Sequence, residues 1–72
     1  MAELEMLSVV ALTEDIPEKD LRRGQVGTIV ENLAPGVYEV EFSDDAGQVY
    51  ALAPVPANGL MRLYHEPRHR AA

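Results

Sequence analysis

An all-β fold is predicted for this 72-residue chain by three observations. Its apolar residues recur in short alternating runs, of which VYEVEFS over residues 37–43 is the cleanest: Tyr38, Val40 and Phe42 fall on one side, Glu39 and Glu41 on the other. Five glycines and five prolines interrupt the chain, leaving little room for helices of about three turns. Between two of the alternating runs stands Pro35-Gly36, a turn with a mechanism. Proline presets φ near −65° at the first central position, and glycine accepts the positive φ that a type II turn needs at the second.

The elements follow in order. Ser8 to Leu12 (SVVAL), with two adjacent β-branched valines, is the first strand. The preceding LEML either extends it or forms a helical turn, since Leu4, Leu7 and Ala11 also suit a helical face. Residues 13–24, TEDIPEKDLRRG, form a long charged connection whose Ile16 and Leu21 are expected to fold back onto the domain. The second strand is QVGTIVENL, residues 25–33, where Gly27 points to a bulge or a close backbone approach. After the third strand, Asp44-Asp45-Ala46-Gly47 is a hairpin loop into a fourth, QVYALA. Pro54 and Pro56 are expected to end that strand, PANG (56–59) to make a short 3-10 turn, and LMRLY (60–64) to be the fifth strand. The domain is thus expected to span 1–64, with 65–72 a flexible polar tail. Five short strands, a long loop after the first, hairpins in the middle and a 3-10 turn before the last are the order of a small five-stranded SH3-like barrel.

Composition narrows the function. A domain of this size buries only about 60% of the surface its unfolded chain exposes. It contains no cysteine, so disulfides, thiolate metal sites and thiol nucleophiles are out of reach. The N-terminal MAELEML has no basic region followed by an apolar run, and no segment approaches the roughly 20 apolar residues of a membrane span, so a cytoplasmic protein is expected. Twelve acidic against six basic residues give a net charge of −6, and residues 1–64 hold eleven and four of them. Such a field repels nucleic acid and anionic membranes and favours a basic protein partner; a homo-oligomer is also compatible with it.

The residues quoted above also carry a resemblance. VVAL, the D-x-P-E of Asp15 to Glu18, RGQVGTIVE, PGVYEVEF and the YAL of the fourth strand occur in the order found in domain-of-unknown-function family 4926, a family of small bacterial proteins that the chain resembles over residues 7–63. The resemblance implies an SH3-like fold and no settled activity; some members lie beside genes suggestive of toxin–antitoxin pairs. A weaker likeness joins Pro17 to Ile29 and Tyr38 to Phe42 to the SH3-like barrel of the nitrile hydratase β subunit and its activators. The aromatic-rich end of those proteins and a metal-handling cysteine are missing here.

Four stretches of the chain invite a functional reading beside a plain structural one. His65-Glu66-Pro67-Arg68-His69 matches the H-E-x-x-H of zinc proteases. Pro67 leaves His65 outside any helix that starts there, no third histidine exists, and only three residues follow His69, so neither metal nor catalysis is expected. Gly24-x-x-Gly27-x-Ile29 fits the KOW motif of ribosomal and transcription-elongation barrels, yet Arg22 and Arg23, amid eleven carboxylates and only four basic groups, cannot supply the phosphate contacts. A polyproline groove is excluded by the absence of tryptophan and by Gly59 where such domains place a tyrosine. Glu39 and Glu41, with Asp44 and Asp45 in the adjoining turn and Glu31 in the second strand, are either a solubilising face that guards an edge or a docking surface. Asp15 and Glu18, in the long connection, are the second candidate contact.

The sequence therefore points to a non-enzymatic interaction module, without cofactor, that binds a basic partner through Glu39, Glu41, Asp44, Asp45, Asp15 and Glu18; the family association makes it antitoxin- or immunity-like. An accessory subunit or activator of an enzyme is the alternative, and a KOW-type nucleic-acid module the third.

Overall fold

The computed structural model describes residues 4–64; the tail and its HEPRH motif lie outside them. Five antiparallel strands form one sheet: β1 Val9–Leu12, β2 Val26–Ala34, β3 Val37–Ser43, β4 Val49–Pro56 and β5 Leu60–Arg62, in the order β4-β3-β2-β1-β5. Two 3-10 turns, Pro17–Lys19 and Ala57–Gly59, sit in the long connection and before the last strand.

Alternation along each strand decides what is buried. From β3 come Tyr38, Val40 and Phe42, from β1 Val10 and Leu12, from β2 Ile29 and from β4 Ala53 and Val55, all almost wholly enclosed in one core. Burying each of the larger of these side chains contributes about 1.5–3 kcal/mol. Leu21 joins the same core at 1% exposure, with Ile16 packed beside it, so the long connection is tied down by its two isolated apolar residues. An antiparallel bridge between Ile16 and Leu21 closes the loop around the first 3-10 turn. At the N-terminal end, Leu4 packs against the core and its N–H donates to the Tyr38 hydroxyl at 3.3 Å.

The hairpins behave as the turn chemistry requires. Gly36 adopts φ +76° between β2 and β3, and Gly47 φ +82° at the end of the β3–β4 loop. That loop includes Gln48 as well, because the Asp44 N–H donates to the Gln48 carbonyl at 2.9 Å and pairing resumes only at Val49. Gly27 has a different reason to be glycine. A Cβ there would lie 2.6 Å from Val40 Cγ1 and 2.8 Å from the Glu41 carbonyl oxygen, so β2 and β3 approach more closely than any side chain permits. The register shifts in β2 lie further on, between Ile29 and Glu31 and between Asn32 and Ala34.

The fifth strand stops at Arg62, two residues short of expectation, and the end of β4 differs more. Pro54 and Pro56 do not end β4; the strand runs through both, paired with Glu39 and Val37. β4 is an edge strand, and proline is tolerated wherever a strand's N–H would face away from its neighbour. The Ala57 N–H reaches the Gly36 carbonyl at 2.8 Å, which sets the odd-numbered donors of this segment toward β3 and the even-numbered positions, both prolines among them, toward the open edge.

The second 3-10 turn also reports on the shape of the sheet. Ala57 bonds Gly36, at the far end of β2, whereas the Gly59 carbonyl accepts from Thr13, beside the start of β2. Three residues reach at most about 10 Å, less than half the length of a straight nine-residue strand. The sheet is therefore curled, and bulges such as that at Ile29/Glu31 supply the bend.

Candidate functional site

The core takes one side of every strand; the other side forms an outer face. Two of its cross-strand rows can be read directly from the register. Met61, Ala11 and Val26 lie side by side on β5, β1 and β2. Next to them run Val9, Thr28, Glu41 and Leu52, from β1 to β4. Beyond the bulge, Glu31, Glu39 and Pro54 form a third row.

Glu39 and Glu41, expected on a solvent face, do lie opposite the core and are half-buried. Glu31 stands directly across from Glu39. Facing residues on one side of an antiparallel pair hold their Cβ atoms about 5 Å apart, and like charges so placed are mildly destabilising. Thr28 and Leu52 flank Glu41, so no cation adjoins these carboxylates along the strand pairing.

The other four candidate residues fall into two groups. Asp44 and Asp45 sit in the loop at the end of the same hairpin, but the Asp44 carboxylate accepts from the Ala46 and Gln48 N–H groups at 3.0 and 2.9 Å. It serves as an Asx-type brace for the turn, while Asp45 stays exposed. Asp15 and Glu18 lie in the long connection. There the Asp15 carboxylate accepts the Arg23 N–H at 2.8 Å and Gln25 Oε1 accepts the Arg22 N–H, so much of the polar chemistry of this loop holds the loop itself. Glu18 is exposed on the first 3-10 turn. Since β1 ends and β2 begins at the end where β3 ends, this connection and the Asp44–Gln48 loop share one end of the sheet, and the Gln25 amide reaches the Tyr50 hydroxyl at 3.2 Å.

The outer face also has an apolar character that the charge pattern of the sequence does not announce. Val26, Leu52 and Met61 are each about half exposed there, at 45%, 48% and 54%. The signal was available: Leu52 stands between Ala51 and Ala53, so the largest residue of that run is the one turned outward. Arg62 is the basic residue nearest the sheet's other edge; it pairs with Glu5 at 3.3 Å and stacks over the Tyr64 ring at 4.9 Å. Among the described residues, no group of three or more potential ligands could hold a metal, and no helix is long and apolar enough to cross a membrane.

A small curled antiparallel sheet with an acid-bearing outer face defines the class. The chain belongs to the family described as Domain of unknown function (DUF4926), whose model matches residues 6–62. Comparison with curated proteins and with solved structures returned no match.

Proposed function

We propose that the protein is a non-enzymatic interaction module, built as an SH3-like barrel, that binds a basic protein through the carboxylates of the β3 hairpin. The barrel reading is supported by the strand order and by the second 3-10 turn, which draws the two ends of β2 together. The observation that carries the function is the stack of Glu31 against Glu39, with Glu41 two residues along the same face. Their mutual repulsion is relieved by a cationic surface, and the net charge of −6 accelerates encounter with one. An antitoxin- or immunity-like role, in which a small acidic protein neutralises a basic one, is the most concrete form of this reading and rests on family association. The enzyme-accessory and KOW readings gain no support from a particular residue.

The test is to capture partners from lysate at low ionic strength with wild type and with Glu39→Lys/Glu41→Lys. Capture by wild type is expected to fall as salt rises and to be lost in the variant, because exposed charges are screened over about 10 Å at 0.1 M. Equal capture by both proteins, insensitive to salt, contradicts the proposal.

A further inference from the structure

The outer face is not simply acidic. The Met61–Ala11–Val26 row and the Val9–Thr28 pair beside it bring apolar surface up to Glu41, and Leu52 continues it on the far side. Ala11 is only 5% exposed although it lies opposite the core. Single exposed apolar residues are ordinary; apolar residues on neighbouring strands set beside half-buried carboxylates are not.

We infer that this face is the docking site of a cationic amphipathic helix, whose apolar side chains cover Val26 and Leu52, on the two strands that flank β3, while its lysines or arginines meet Glu39 and Glu41. The inference rests on the basic-partner reading above and names the form that partner takes. Three arguments select the occupant. A second copy laid face to face would set carboxylates against carboxylates, between molecules that each carry −6. An added strand would have to pair with an edge: at β4, Pro54 and Pro56 remove two of the outward donors, and β5, the other edge, is only three residues long. A segment lying on the face instead of at the edge must satisfy its own backbone, which a helix does and an extended peptide does not. Spacing agrees with this. Glu39 and Glu41 are about 7 Å apart along β3, and positions i and i+4 of a helix are separated by about 6 Å along its axis.

The experiment titrates the intact chain, by calorimetry near 0.1 M salt, with a synthetic leucine–lysine peptide of about 18 residues patterned as an amphipathic helix. A scrambled peptide of the same composition is run beside it. The patterned peptide is expected to bind about tenfold more tightly, and Val26→Ser/Leu52→Ser to remove most of that margin. These sites are half exposed, so the double variant should keep its thermal transition; Leu52→Ser alone, expected to weaken binding about threefold, repeats the test with less risk to the fold. Equal affinity for the two peptides overturns the inference. If the serine variants bind as wild type does while Glu39→Gln/Glu41→Gln loses affinity, the helix-docking inference falls and the basic-partner reading stands. If neither set of substitutions changes binding, both fall.

Discussion

Phe42→Ala is expected to remove most of the domain's stability. Phe42 is fully enclosed on β3, the strand that also contributes Tyr38 and Val40 to the core. Truncating a buried phenylalanine costs about 3–5 kcal/mol, counting lost transfer energy and the cavity left behind. At roughly 0.05–0.15 kcal/mol per residue, a domain of this length has about 4–11 kcal/mol to lose. Urea denaturation followed by far-ultraviolet circular dichroism should show a transition at far lower urea, or none. Leu52→Ala, on the opposite face of the neighbouring strand, should shift the midpoint only slightly, since Leu52 is about half exposed. A Phe42→Ala protein with the wild-type midpoint would mean that β3 presents its other side to the core.

Gly27→Ala is expected to have the second largest effect, through overcrowding. The added methyl would meet Val40 Cγ1, the Glu41 carbonyl oxygen and Phe42 Cδ1 at 2.6, 2.8 and 3.0 Å. A rotamer change can relieve the first contact, but the second is backbone and yields only if β2 and β3 separate. Overpacking of this kind costs about 1–3 kcal/mol, and the upper half of that range is expected. Gly36→Ala makes the informative comparison. Gly36 has open space around its Cβ position but a φ of +76°, so its cost is conformational, about 1 kcal/mol. Gly36→Asn should recover part of it, because asparagine tolerates the left-handed region; Gly27→Asn should not. Equal midpoints for Gly27→Ala and wild type would contradict the close approach of the two strands.

Much of the fold was legible because strand period and turn chemistry agree. VYEVEFS alternates without exception, and its inward residues are the buried ones. Pro35-Gly36 announced its turn, and PANG its 3-10 turn, now Ala57–Gly59. The two prolines of β4 misled for a specific reason. Proline removes a donor, but whether that matters depends on whether the donor faces a neighbour, and edge position is a property of the whole sheet. The candidate site was half legible. Alternation places Glu39 and Glu41 together, whereas the confrontation of Glu31 with Glu39 depends on the bulge after Ile29, which shifts the register and has no clear mark in the sequence. Asp44 and Asp15 looked like free surface charge and are instead engaged with backbone N–H groups, an engagement set by loop conformation. The apolar outer rows escaped notice because each residue belongs to a different strand and becomes a neighbour only through pairing.

Whether a basic partner meets the outer face along β3 is decided by zero-length carbodiimide cross-linking of the chain and the protein it captures at low ionic strength, because the reagent joins carboxylates only to amines in contact. Mass spectrometry of the linked peptides is expected to place partner lysines on Glu39 and Glu41, with Glu31 as a further site. Links confined to Glu14, Glu18 and Asp20 in the connection between β1 and β2, with none on β3, would contradict the account and move recognition to that loop.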